Sequence, residues 1–361
     1  MKLEFMEIPR YVMMGAKALT EVSTVYQRLG LARVVHIVCG ATSTCKVAEE
    51  VVSTLNGDGF KASKTVVDAS MITEVDVKTV HENARLNGAQ SIIGVGGGRV
   101  IDVAKLAASW LGIHFISVPT SAAHDGISSP FVNFLLRHFV KERMGEEYVR
   151  PQAPVAIIAD TDVIRKAPHD MLAAGCGDLI AKLTSVRDWQ LASRLKGEEY
   201  HEYAASMALM GARLVKSYAD SIHKGSEEGT RVVVKALIGS GVSMSIAGSS
   251  RPASGAEHLF SHALDLLSLK YGFKPARHGE QCGVGAIIMT RLQGANWEKV
   301  RDVLERVGAP TSAEGLRLEP KHIVEALTHA KEIRPDRYTI LSENRLSDEA
   351  AESLAVETRV I

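Results

Sequence analysis

Apolar residues in the first part of the chain fall into short runs. Arg33-Val-Val-His-Ile-Val-Cys39, Phe60 to Val67, Ser91-Ile-Ile-Gly-Val-Gly96, Ile113-His-Phe-Ile-Ser-Val118 and Pro154-Val-Ala-Ile-Ile-Ala159 are such runs. Each is closed by a glycine, an aspartate or a proline, at Gly40, Asp68, Gly96, Pro119 and Asp160. Between them the apolar spacing becomes helical, over Ala18 to Leu29, Thr42 to Val52, Thr73 to Asn87 and Val100 to Leu111. A further short strand is expected before Ala18. Short β-branched runs alternating with amphipathic segments predict a parallel sheet covered by helices on both faces. Residues 130–153 break the pattern: Phe131 to Leu136 is apolar and Lys141 to Glu147 is charged. A β-hairpin excursion and a short helix both fit there. Near residue 160 the strand signal fades. Helical spacing then covers Pro168 to Lys196, Glu199 to Ala219, Thr230 to Ala247, His258 to Leu269, Gly283 to Gln293, Trp297 to Val307 and His322 to Glu332. The expected division is an α/β domain over 1–160 and an all-helical domain over 161–361, with no repeat.

Composition narrows the picture. The chain has 361 residues, 46% of them apolar, which is enough for two cores. Lys+Arg and Asp+Glu both number 42, and no basic stripe with interleaved aromatics stands out, so no nucleic-acid partner is expected. No uninterrupted apolar run reaches the roughly 18 residues of a membrane span. Met1-Lys-Leu-Glu-Phe-Met-Glu7 lacks a signal-peptide core. The expectation is a cytoplasmic protein, not membrane-embedded, whose long apolar helices favour self-association into a homo-oligomer. Cys39, Cys45, Cys176 and Cys282 are scattered with no CxxC, which argues against a disulfide framework or a structural zinc knot.

Three stretches carry candidate chemistry. The first is Ser91 to Lys105, a strand that passes through Gly94, Gly96, Gly97 and Gly98 into a helix. Strand, glycine turn and helix lay backbone N–H groups and a helix N-terminus against a phosphate. The turn lacks the last glycine of the dinucleotide fingerprint and has no Gly-Lys-Ser/Thr. It reads either as a phosphate site or as a plain tight turn. The second is Thr120-Ser-Ala-Ala-His-Asp-Gly126, which follows a strand's carboxyl end, where ligands bind in open α/β sheets. There His124 and Asp125, with the nearby Ser128 and Ser129, read either as ligand contacts or as turn formers. The third is the helical half. His258 and His262 lie four apart on one helix face, Asp265 follows on that face, His278 comes after a loop, and Asp178 stands in an apolar helix start. Such residues suit an open three-ligand metal site, or serve as capped and hydrogen-bonded core groups. By spacing, His258 and His262 are the obvious metal pair; spacing does not decide whether His278 replaces one of them. His36, His81, His169, His201 and His223 have no partner pattern.

Five stretches taken together resemble one family. They are Gly96 to Lys105, Pro119 to Pro130, Ala174-Gly-Cys-Gly-Asp178, Ser254-Gly-Ala-Glu-His-Leu-Phe-Ser-His-Ala-Leu-Asp265 and His278-Gly-Glu-Gln-Cys-Gly-Val-Gly285, in that order. They resemble the glycerol-1-phosphate dehydrogenases, archaeal enzymes within the iron-containing alcohol dehydrogenase, glycerol dehydrogenase and dehydroquinate synthase superfamily. The likeness runs from about residue 30 to 310. The glycine turn marks the superfamily, whereas the His124-Asp-Gly-Ile-Ser-Ser-Pro130 loop and the Ser254 to His262 segment are specific to this branch. Residues 131–150 depart from it, being longer and more apolar than is usual there.

The resemblance implies a Rossmann-like parallel-sheet N-terminal domain and an all-α C-terminal domain of dehydroquinate synthase type, with the site in the cleft between them. It implies NAD(H) or NADP(H), with Gly97, Gly98, Arg99, Val100, Ile101 and Asp102 at the pyrophosphate and Thr120, Ser121, Ala122, Ala123 and Ser129 on the nicotinamide side. One zinc per subunit on Asp178, His258 and His278 is implied, as are substrate contacts from Asp125, Asp178 and His262. The implied reaction reduces dihydroxyacetone phosphate reversibly to sn-glycerol-1-phosphate, the glycerophosphate backbone of archaeal membrane phospholipids. His262 or a water relay would supply the proton, and Arg251 and Arg277 are candidates for the phosphate. Asp68 either holds the ribose hydroxyl of NAD or caps a loop. The rivals are a glycerol dehydrogenase acting on an unphosphorylated polyol, a dehydroquinate synthase-like lyase and an idle nucleotide-binding protein.

Overall fold

A computed structural model describes residues 5–68, 73–343 and 346–361; Met1–Glu4 of the N-terminal stretch read above lie outside the described residues. The chain divides into two compact units, Met1–Ala122 with Gly126–Ala167, and Ala123–Asp125 with Pro168–Ile361.

The first unit is the expected α/β layer. Strands β1 (Tyr11–Gly15), β2 (Val34–Gly40), β3 (Lys61–Val67), β4 (Ser91–Gly96), β5 (His114–Pro119) and β6 (Ala156–Asp160) form one sheet, in the order β1-β6-β5-β4-β2-β3, with every pairing parallel. Helices α1 (Val22–Leu29), α2 (Ser43–Gly57), α3 (Glu74–Leu86), α4 (Gly98–Leu111), α5 (Phe134–Met144) and α6 (Thr161–Arg165) belong to it. Alternation along the strands sorts the core into two faces. Ile93, Val95, Ile116 and Ile158 pack with Val25 and Tyr26 of α1 and Val51 and Leu55 of α2. Gly94 turns to the other face, where a Cβ would meet Ala104 of α4 at 2.9 Å. The chain leaves β2 for β3 on one side, while β4, β5 and β6 follow on the other, so the order reverses between β2 and β4. The carboxyl ends of those two strands mark the crevice where such sheets bind ligands.

Residues 130–153 are settled as a helix. The Asn133 side chain accepts from Leu135 N (2.9 Å) and so starts α5, and Gly145 (φ 116°) ends it. Leu136 and Val140, four apart, are its buried residues, and Arg143 pairs with Glu74 of α3 at 2.8 Å. A 3-10 turn at Glu146–Tyr148 follows, and Arg137 and Lys141 both reach Glu146 at 2.7 Å. The charged stretch is therefore a cap-and-bridge region, not a hairpin.

The second unit is helical: α7 (His169–Ile180), α8 (Lys182–Lys196), α9 (Glu202–Ser217), α10 (Ala219–His223), α11 (Glu227–Ala247), α12 (Ala256–Tyr271), α13 (His278–Leu292), α14 (Trp297–Arg306), α15 (Pro320–Ile333), α16 (Ile340–Glu343) and α17 (Asp348–Glu357). Helices α7 and α13 approach unusually closely, since a Cβ on Gly177 would lie 2.2 Å from Gly279 O and one on Gly279 would lie 1.9 Å from Ala174 O. Among the described residues, α11 alone has the length and composition of a membrane span, but 61% of its window is buried inside the protein. Val233, Val234, Leu237 and Met244 make it a core helix.

Candidate active site

The glycine turn sits at the carboxyl end of β4. Gly97 is the residue capping α4, and no side chain caps that terminus. A Cβ on Gly96 would meet Val100 at 2.7 Å, so the turn closes only with glycine there. Thr120 N donates to Gly96 O (3.0 Å), which stitches the β5 loop to the turn. Val100 and Ile101 are buried in packing, so their backbone is what a phosphate would meet. Asp102 is also buried and accepts from Asn133 N (2.8 Å); Lys105 donates to Gly126 O (2.8 Å) and Phe131 O (2.6 Å). These two charges brace the loop that carries the buried Ser128 and Ser129. Ser121 and Ala122 are buried after β5, while Ala123 belongs to the second unit.

The second unit brings four distant segments together. Asp178 comes from α7, His258 and His262 from α12, His278 from the first turn of α13, and Asp125 from the loop after β5. Asp178 Oδ1 lies 3.7 Å from His258 Nε2. Glu257 Oε1 holds His258 Nδ1 at 2.8 Å, which turns Nε2 toward Asp178. The rings of His258 and His278 are 4.9 Å apart, and Ser261 Oγ lies 3.2 Å from His278 Nδ1. His262 stacks on His278 at 6.1 Å and meets His258 edge-on at 6.2 Å. Asp265 turns to Gln281 (3.3 Å).

Lys182, one turn beyond Asp178, joins the two carboxylates. Its Nζ is 2.6 Å from Asp178 Oδ1, 2.9 Å from Asp125 Oδ2 and 3.3 Å from Ala253 O. Asp125 also accepts from Ser240 Oγ (2.7 Å), and its backbone N donates to Asp178 Oδ2 (2.9 Å). The sequence reading missed Lys182, although a lysine four residues after Asp178 in an apolar helix was its signal.

Electrostatics separate the candidate metal donors. Burial alone would raise the pKa of Asp178, but Lys182, His258 and His278 hold it well below the ordinary range, so it stays ionised. Burial, then His258, pushes His278 down to about 3, leaving a neutral imidazole. Burial and the two neighbouring histidines likewise push His262 well below its ordinary value, so the ring is uncharged near neutral pH. The nitrogen donors of His258 and His278 and the thiol of Cys282 all lie within 4.8 Å of one another. Burial raises the Cys282 thiol far above its ordinary value and keeps it protonated. An ionised carboxylate such as Asp178 suits a zinc ion with open positions better than a protonated thiol does.

Both arginines considered for the phosphate are engaged. Arg251 pairs with Glu198, and Arg277 pairs with Asp170 (2.7 Å) and Glu280 (3.0 Å). His36 bridges Ser63 and Thr65 at 2.8 Å each, a core role.

A family profile described as iron-containing alcohol dehydrogenase matches residues 13–168. Glycerol-1-phosphate dehydrogenase (NAD(P)+) of Methanosarcina acetivorans is 49% identical over 358 residues, covering 99% of this chain and 97% of its own length. The enzyme of the same name from Thermococcus kodakarensis is 48% identical over 360 residues, covering 100% and 99%. A probable glycerol dehydrogenase from Sinorhizobium meliloti superposes with a TM-score of 0.76 at 18% identity, covering 99% of this chain and 100% of its own, a likeness of fold. A sulfoacetaldehyde reductase from Bifidobacterium kashiwanohense, solved with NAD+, superposes with a TM-score of 0.69 at 18% identity, covering 99% of each chain. With near-complete coverage at almost half identity, the chain belongs to the glycerol-1-phosphate dehydrogenase family.

Proposed function

We propose that this enzyme reduces dihydroxyacetone phosphate to sn-glycerol-1-phosphate with NADH or NADPH, in a reversible reaction. The observation that carries the reading is the convergence of Asp125, Asp178, His258, His262 and His278, five residues from four segments, around one small volume of the second unit. Asp178, His258 and His278 would hold zinc; when bound, it supplies Lewis acidity toward the ketone oxygen. When bound, the reduced nicotinamide would supply the hydride for the carbonyl carbon, and the proton for the carbonyl oxygen would come from solvent. The turn Gly97 to Asp102 would seat the pyrophosphate, with Arg99 at its start, and Thr120 to Ala123 and Ser129 would line the nicotinamide.

The chain's own groups set up the substrate. Asp125 is fixed by Ser240 and Lys182, so one of its oxygens would accept a substrate hydroxyl in a defined direction. Lys182 neutralises two buried carboxylates that would otherwise repel each other. Glu257 keeps His258 in one ring orientation and one tautomer. His262 would hydrogen-bond the substrate as a neutral imidazole. We extend the reading to a cytoplasmic, self-associating enzyme, on the grounds of its water-soluble substrate and the long apolar helices of the second unit.

The test is the product. Purified protein supplied with zinc, dihydroxyacetone phosphate and each reduced nicotinamide is expected to form sn-glycerol-1-phosphate, resolved by chiral analysis. Formation of sn-glycerol-3-phosphate, or oxidation of glycerol in preference to glycerol-1-phosphate, overturns the proposal.

A further inference from the structure

The reaction proposed above brings a dianionic phosphate into the second unit, and Arg251 and Arg277 already have carboxylate partners. Arg337 differs from them. Its side chain is buried, at 6% exposure. Nη1 donates to Ser254 O (2.7 Å) and Nη2 to Ser250 Oγ (2.9 Å). Both acceptors are neutral, and among the described residues no carboxylate lies within ion-pair distance of this guanidinium. Two of its five N–H bonds are spent this way. A buried cation bonded only to neutral groups is costly unless an anion joins it. Burial, with Arg334 and Arg251 nearby, pushes its pKa down to about 9 against the smaller opposing pull of Glu198 and Asp336.

Its position adds a second argument. Ser254 immediately precedes Gly255, which opens α12, the helix of His258 and His262. Arg334 follows the last residue of α15, a helix packed along α12. Arg334 is 28% exposed and has Asp336 at 3.7 Å. Ser254 also follows Ala253, whose carbonyl accepts from Lys182, the lysine that joins Asp178 and Asp125. Arg337 thus sits one residue from the backbone that meets Lys182, and among the described residues it is buried with no carboxylate at ion-pair distance.

We propose that Arg337, with Arg334 as a second cation, receives the phosphomonoester of the substrate near Ser254 and the first turn of α12. The inference rests on the reduction proposed above. A guanidinium fork matches phosphate oxygens in a way a single ammonium does not. Such a site selects a phosphorylated three-carbon ketone over its unphosphorylated analogue, because binding the analogue leaves the buried cation unpaired.

The experiment compares kcat/KM for dihydroxyacetone phosphate with that for dihydroxyacetone, in the zinc-loaded enzyme, for the unaltered chain and for Arg337→Gln. The ratio between the two substrates is expected to fall about 10- to 100-fold, through the KM for the phosphorylated ketone. Inorganic phosphate is expected to compete with dihydroxyacetone phosphate in the unaltered chain and to lose about the same factor in the variant. An unchanged ratio overturns the proposal, even if both activities fall together. A loss seen with NADPH and not with NADH assigns the arginine to the cofactor's 2′-phosphate and also overturns it. If Arg337→Gln does not fold, Arg334→Gln carries the test: a fall of about 10-fold supports the site, and an unchanged ratio overturns it. A chain that oxidises neither cofactor with dihydroxyacetone phosphate refutes the reduction itself. A chain that does so with an unchanged ratio in the variants refutes only the phosphate site.

Discussion

At the scale of residues, the site depends on which donor atoms are charged. Asp178 is ionised, His278 is neutral and Cys282 is protonated, and these states follow from burial and from Lys182, not from the residue types alone. Replacing His258 by alanine is expected to remove bound zinc and to lower turnover by more than about 100-fold, beyond the effect of losing an orienting partner. Elemental analysis and single-turnover rates check this together. Cys282→Ser is expected to retain a full zinc complement; a variant that loses the metal would place the thiol in the ligand set. His262→Ala is expected to keep zinc and lose rate or substrate affinity.

Among the elements, the crossing of α7 and α13 positions the cluster. Gly177 precedes Asp178 and Gly279 follows His278, so the closest backbone approach lies directly beside two proposed ligands. Gly177→Ala would push a methyl against Gly279 O on backbone that cannot give way. A loss of about 2 to 3 kcal/mol is expected, with a weaker zinc affinity, measured by denaturant unfolding and by metal titration. Gly239→Ala in α11, where a Cβ meets nothing within 4 Å, is expected to be neutral or stabilising by up to about 1 kcal/mol. In the sheet, burial lowers the pKa of His36 to about 4, so the neutral ring is favoured in the folded state. Stability from this group is present above its unfolded value near 6.5 and is lost as pH falls toward about 4. The loss is on the order of 3 kcal/mol, and His36→Gln is expected to flatten the unfolding free energy across that range.

For the whole molecule, the described donors all belong to the second unit. Chelation of zinc is therefore expected to lower the hydrogen-exchange protection of α7, α12 and the start of α13, while the strands of the sheet keep theirs. Equal loss in β2, β4 and β5 would show that the metal supports the chain globally and not this cluster. How much of this was legible differs between the halves. The sheet was readable because each strand is a short β-branched run and each helix has its own spacing, both local signals. The helix α5 was not, because its start depends on one Asn133 cap and its hold on an ion pair with Glu74, 69 residues away. The boundaries of α12 were readable to within two residues, but α13 starts at His278, five residues before the Gly283 start expected from the spacing, and the face each helix presents was not readable.

The sequence by itself determined the alternation of the first unit, the glycine turn after β4, the helical second half and the motifs that mark the family, since these depend on local periodicity and on residue types at fixed spacing. It also supplied the residues of the candidate cluster apart from Lys182, and the family resemblance, not the spacing, grouped Asp178, His258 and His278. His258 and His262 looked equivalent along one helix. The tertiary structure turned His258 toward Asp178 through Glu257 and packed His278 against it, because glycines let α7 and α13 come within backbone contact. It alone showed Lys182 tying Asp125 to Asp178, and Arg337 buried with only neutral partners. Those facts follow from helix crossings between segments far apart in the chain, which no local pattern encodes.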